Sequence, residues 1–495
     1  MDPKLIKEIM DNTPIHPDRH RQLFLDDGAI ESMSGLRRTL HQPTRHGPVV
    51  RTNRSRGEMH VQSGSTPQWN PDRGIWEWWY SGYTTLTEES LTLYATSTDG
   101  VNWEKRDLGL YESGSKANNI AFDSADWNLA HIIRDEDETD SGRRYKALFS
   151  DASHLNRHPG FSPDGFEWTF PDVLSIPSQD TSQLAHDKAA NLYLATVKHR
   201  TQWGRSAWMV TSSDFLNWTD PKLVMHSDEI DQENRSRRIQ QVVDDPAYLS
   251  PPAVDGREYL AELYLLALMP YEGLYVGFPL IFNPSGADPL QSNQTGLNQV
   301  ELAVSRDAYH WERVADRALF VSVEPWDGGR NFGNAQVALC GPPIVREEEI
   351  WVYYMAYRLR GHRDLFANLD PAIYNDDFFN ECSAICLGKL RRDGFVSLDA
   401  DADGGELLSR PFSWTGGDLH VNADAADGEV AFEVVDADNL ATMEGWSAAE
   451  CQPLNSDLLS EAVKWTSNGR SSIDGRPVRL RFHLQRASLY SFWLA

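Results

Sequence analysis

Apolar and aromatic residues fall in short runs of strand length along most of the chain, separated by clusters of Ser, Asp, Asn and Gly. Runs at 75–80 and 91–96 mix aromatic with β-branched side chains, and the succession returns at 145–149, at 192–197 with 207–210, at 275–278 with 300–304, and at 350–354. A motif, Ser-x-Asp-x-x-x-Trp, closes four of these successions, at 97–103, 162–168, 212–218 and 305–311. Arg391-Arg392-Asp393-Gly394-Phe395 keeps the turn and lacks the Trp. In such a turn Asp and Ser bond back to their own backbone, Gly accepts positive φ, and the Trp opens the next strand. Repetition means one supersecondary unit used several times. Each unit offers strand, loop, strand, Asp turn and edge strand; with an inner strand upstream this is a four-stranded blade. The pattern therefore predicts an all-β, five-bladed β-propeller, whose radial closure shelters sheet edges. An open β-sandwich of repeated hairpins is the alternative. The widest gap between turns, from Asp214 to Asp307, predicts loops that wall a pocket.

The rhythm changes after the polar, Gly-bearing joint at 397–405. Runs at 418–423, 429–435 and 478–484 alternate in and out, as in a small β-sandwich. The expected organisation is an N-terminal extension over 1–20, a propeller over 21–404 and a sandwich over 405–495. The sandwich is expected to pack on the propeller, with sugar binding of its own as a second role.

A chain of 495 residues suits two or three domains, or one closed repeat with an appendage. Aromatics make up 11 %, with 17 Trp, more than a core demands and in keeping with sugar-stacking platforms, although four Trp belong to the turn motif. A net charge of −27 argues against nucleic acid and anionic membranes as partners. A saline habitat would produce the same charge. Residues 1–12 alternate charge with isolated apolar positions and show no secretion signal, so a cytoplasmic location is expected. Cys340, Cys382, Cys386 and Cys451 have no metal-finger spacing, and Cys382 and Cys386 read as reduced strand residues. Oligomeric state stays open, with a homo-oligomer among the options.

Several segments resemble bacterial proteins related to glycoside hydrolase families 32 and 43. They are the opening Leu23-Phe24-Leu25-Asp26-Asp27 with Gly35-Leu36-Arg37-Arg38 and His41-Gln42-Pro43, then Tyr271-Glu272-Gly273-Leu274-Tyr275, residues 393–400, and the ending Leu489-Tyr490-Ser491-Phe492. The resemblance spans nearly the whole chain from Arg21. It implies a five-bladed propeller with three acidic residues in its central cavity, a C-terminal β-sandwich and an oligosaccharide or glycoside substrate. The Asn-Asp-Pro-Asn-Gly and Glu-Cys-Pro signatures of the invertase branch are absent; Glu381-Cys382 is followed by Ser383.

Innermost propeller strands line the axial cavity and should precede each second strand by about ten residues. That criterion selects Glu58 and His60, Asn128 and His131, Asp180 and Gln183, Glu262 and Tyr264, and Asn334 and Gln336. Asp26 and Asp27 are expected to reach the same cavity. Glycosidic cleavage needs one carboxylic acid to protonate the departing oxygen and one carboxylate opposite it. Glu262, in the apolar stretch Ala261-Glu262-Leu263-Tyr264, is the expected acid, because burial would keep it protonated. Asp180 or Asp27 is the expected opposing carboxylate. Asp26, Glu58, His60, His131, Gln183, Tyr264, Asp327, Asn334 and Gln336 are expected to contact the sugar, each against a plain structural alternative: a turn for Asp327, a strand position for the histidines. No cofactor is expected. The acid run at 134–138 leaves a structural calcium ion open, against a solvated loop beside Arg143 and Arg144. A lyase using His60 or His131 as base on a uronate is the rival chemistry, and a non-catalytic glycan-binding propeller the rival class.

Overall fold

The computed structural model describes residues 15–84, 90–124, 126–288, 293–466 and 473–495. The protein is a β-propeller followed by a β-sandwich. Three antiparallel sheets stand alone. The first is built from Glu58–Gln62, Ile75–Thr84, Ser90–Ser97 and Ile120–Phe122, with Gln68–Asn70 added on Ile75–Thr84. The second runs Trp127–Arg134, Tyr145–Asp151, Asn156–Ser162, Ile176–Pro177, and the third Gln183–Asp187, Leu192–Thr201, Gly204–Ser212, Lys222–Met225. A fourth sheet of 11 strands holds two antiparallel groups joined by one parallel pair, Asn298 with Gln336. Its last strand is Thr44–Arg51, which pairs with Ser383–Arg391 and so closes the ring with the amino-terminal part of the chain.

The turn motif forms as its residues dictate. Asp99, Asp164, Asp214 and Asp307 each accept two backbone N–H bonds at 2.8–3.0 Å through one carboxylate oxygen. The position after the Asp has positive φ in all four, and it is Gly100 and Gly165 in two of them but Phe215 and Ala308 in the others. Neighbouring sheets are locked by a second repeat, in which a Tyr at the head of one sheet's second strand donates its hydroxyl to a carboxylate of the preceding sheet. Tyr145 meets Glu77 at 2.6 Å, Tyr193 meets Asp135 at 2.6 Å and Tyr275 meets Asp187 at 2.8 Å.

The sandwich has sheets of six and five strands. Stretches on both sides of the propeller supply them: Gln22–Leu23, Ile30–Ser34 and Val396–Ala400 pair there with strands that follow residue 404, and Leu36–Leu40 pairs with Val396–Ala400. Residues 21–404 thus contribute to both parts. In the long interval between Asp214 and Asp307, where the sequence suggests a loop, a 16-residue helix, Glu229–Asp244, is capped by Asp228 and packs Ile239 and Val242 against Leu297 and Val323. Among the described residues no helix is long and apolar enough to cross a membrane. All four cysteines are free thiols.

Candidate active site

The ring of inner strands has two axial mouths of different chemistry. Where those strands end, a cavity of about 250 Å³ is lined by residues that include Trp69, Trp76, Ile132, Leu184, Pro342 and Ile344, and no Asp or Glu contributes to it. At the opposite mouth the strand openings bring together Asp180, Lys198, Arg205, Glu262, Tyr264 and Arg360.

Asp180 precedes the inner strand Gln183–Asp187 and holds a φ of 55°, in the left-handed region that Asp tolerates better than most residues. Its Oδ2 accepts from Lys198 Nζ at 2.8 Å, and its side chain is still 52 % exposed. Burial alone would raise this carboxyl; Lys198, with Tyr264 and Arg205, instead holds it below the usual carboxylate range. Lys198 lies in the second strand, Leu192–Thr201, with its Nζ 3.8 Å from the Tyr264 ring centroid. Desolvation pushes its ammonium down to about 8, with Asp180 opposing that shift and Arg205 and Arg157 adding to it.

Glu262 opens the strand Glu262–Tyr271, and Ala261 before it is held by the helix and the residue before its cap: Gln232 Oε1 accepts from the Ala261 N–H at 2.7 Å, and Ser227 Oγ donates to its carbonyl at 2.8 Å. The carboxylate accepts from Arg200 at 3.0 Å and from both the guanidinium and the N–H of Arg205. Arg200 and Arg205 face each other across the hairpin at Gly204. Gly204 has a φ of 78°, which favours glycine, and a Cβ there would lie 2.2 Å from Glu262 Oε1 and push that carboxylate aside. The apolar neighbourhood expected around Glu262 is replaced by two guanidiniums.

Other residues selected from the sequence fall into three groups. Tyr264 and Gln336 join the cluster: Arg360 NH1 donates to Gln336 Oε1 at 2.8 Å and its guanidinium carbon lies 5.6 Å from the Tyr264 ring centroid. Gln183 opens the inner strand Gln183–Asp187 and is buried, and its Oε1 has no hydrogen-bond partner among the described residues. His60 stacks on Tyr83 at 5.4 Å, and burial lowers its pKa. A second group is consumed by the frame. His131 uses both ring nitrogens, toward Gly64 O and Ser182 Oγ at 2.7 Å each, and burial pushes it down to about 4. Glu58 is tied to Lys105 at 2.6 Å and to the Asn53 N–H. Asp327 accepts from the N–H groups of Arg330 and Asn331, the turn-forming arrangement, and the buried Asn334 donates to the Glu324 and Pro325 carbonyls of the same loop. Asn128 sits in the Trp127–Arg134 strand opposite Ser150.

Asp26 and Asp27 are placed elsewhere. Asp26 takes two bonds of 2.9 Å from Arg306, and Asp27 pairs with Arg38 at the surface. Arg306 follows Ser305, which lies opposite Tyr275 near the Tyr271 end of the Glu262–Tyr271 strand. Ten residues at about 3.3 Å each separate that end from Glu262 by roughly 30 Å. The structure therefore does not bring Asp27 to Asp180 and Glu262, because the segment before Ile30 is drawn to the sandwich side.

The basic members of the cluster, Arg157, Lys198, Arg205 and Arg360, were not selected from the sequence. A signal for them exists: Lys198, Arg200 and Arg205 flank a tight hairpin, and Arg358 and Arg360 follow an apolar run that ends at Tyr357. The acid run at 134–138 is spent internally, with Asp135 and Glu138 on Lys146 at 2.8 and 2.9 Å. Among the described residues no group of three or more His, Cys, Asp or Glu is gathered to hold a metal ion.

No protein-family model matches the chain, and no curated protein matches it. Among solved structures it is similar to a Bombyx mori family 32 β-fructofuranosidase, with 9 % identity over 90 % of this chain and 93 % of that one, at a TM-score of 0.42. A family 62 α-L-arabinofuranosidase catalytic domain from Coprinopsis cinerea is 12 % identical over 71 % of this chain and 97 % of its own, at 0.37. A glycosyl hydrolase from Bacteroides ovatus is 12 % identical over 74 % and 96 %, at 0.38.

Proposed function

We propose that this chain is a glycoside hydrolase that acts on oligosaccharides at the polar axial mouth. The observation that carries the reading is Asp180, a half-exposed carboxylate kept ionised by Lys198 in a cluster of otherwise engaged side chains. Such a group serves as base toward water or as nucleophile at the anomeric carbon. Glu262, set across Arg205 and Tyr264 from it, is the second carboxylate that cleavage requires. Tyr264 offers an aromatic face for a sugar ring.

The test takes the two acids in turn. Asp180→Asn should lower kcat by roughly 10²–10⁴-fold and also lower the thermal midpoint, because the buried Lys198 loses its carboxylate. Glu262→Gln should lower both activity and midpoint, because Arg200 and Arg205 lose their carboxylate. Full turnover by Asp180→Asn removes that residue from the chemistry.

A further inference from the structure

The polar mouth carries more positive than negative charge, in a chain whose net charge is −27. Arg157, Lys198, Arg200, Arg205 and Arg360 gather around Asp180 and Glu262, with Asp151 behind Arg157, so five cations meet three carboxylates. Lys198 and Arg360 are nearly or fully buried, and a buried charge without a counter-charge is costly. Part of that cost is offset by rings: Arg360 lies 3.9 Å from the Phe282 centroid, and Arg205 4.9 Å from that of Tyr264. Arg157 is spent on carbonyls and hydroxyls, including the Asp180 carbonyl and Ser182 Oγ. Arg205 is paired with Glu262, whereas Arg360 has no ion-pair partner among the described residues and leaves an excess of positive charge beside Tyr264.

Resting on the hydrolase reading, we propose that the glycan bound here bears an anionic group, a carboxylate or a sulfate ester, seated between Arg205 and Arg360 beside Tyr264. An anion so placed competes with Glu262 for Arg205.

Calorimetric titration of the full chain with D-glucuronate, D-glucose 6-sulfate and D-glucose tests this without requiring turnover. One or both anions should bind at least tenfold more tightly than D-glucose, and the preference should shrink as salt rises from 20 to 200 mM. Whichever of the two anions binds identifies the group. Arg360→Met should abolish the preference; should that variant fold poorly, the salt dependence of the native chain carries the test. Equal binding of the three sugars, or a preference that ignores salt and survives Arg360→Met, overturns the proposal. Binding of acids with no cleavage of any glycan would instead count against the hydrolase.

Discussion

At the scale of single residues, protonation states carry the functional account. Asp180 is held below the usual carboxylate range, whereas Lys198 is pushed down to about 8 and is faced by Asp180, Arg205, Arg157 and the Tyr264 ring. The acidic limb of the pH–activity curve should therefore fall at unusually low pH, as Asp180 takes up its proton, and the alkaline limb should pass through about 8 as Lys198 loses its own. The stability signs differ. A depressed carboxyl stabilises the fold above its unfolded value near ~3.9 and loses that contribution as pH falls through the folded value. A depressed ammonium does the reverse: the charged form is disfavoured in the fold, so stability rises from pH about 8 toward the unfolded value of roughly 10.4. A pH–rate profile of Lys198→Met with its alkaline limb unmoved would contradict this assignment.

Single elements are held to one another by buried polar contacts as well as by packing. Tyr145, Tyr193 and Tyr275 repeat one lock between successive sheets, and each keeps a carboxylate satisfied at a seam. Tyr145→Phe removes one donor from Glu77, which keeps Asn70, Arg73 and Tyr94. The expected cost is about 1–2 kcal/mol, read as a lower thermal midpoint with kcat intact; a loss of kcat at unchanged midpoint would contradict a purely structural role. These tyrosines head recognisable aromatic runs, so their strands were legible from local pattern, as were the inner strands, placed by counting back from the same runs. Lys198 and Arg205 were not legible as site residues. They belong to the second and third strands of their sheet, and only the hairpin at Gly204 carries them to the mouth where Glu262 begins.

Across the whole molecule, the amino-terminal part of the chain joins propeller to sandwich. Asp393, in the degraded fifth turn, accepts from Arg21 at 2.8 Å, from Ser491 at 2.6 Å and from Tyr271, uniting the first described segment, the last strand and a propeller strand on one buried carboxylate. Asp393→Ala should cost about 1–3 kcal/mol by removing the acceptor shared by Arg21, Tyr271 and Ser491, with Arg21 keeping Glu272, and kcat of the folded fraction unaffected; chemical denaturation measures it. Long-range pairing of this kind has no local pattern. That is why Asp26 and Asp27, on a stretch that reads like a propeller strand, lie instead at the far end beside Arg306 and Arg38. The sheets themselves follow from turn chemistry repeated along the sequence, and the acids at the polar mouth follow from the inner strands that this repeat locates.

The central claim is that the acids of this mouth cleave glycosidic bonds, and the direct measurement is product mass after incubation of acidic and neutral oligosaccharides with the native chain and with Asp180→Asn. The account predicts fragments whose summed mass exceeds the substrate by one water, formed by the native chain and lost in the variant. Unsaturated fragments absorbing in the ultraviolet, or equal cleavage by both proteins, would contradict it.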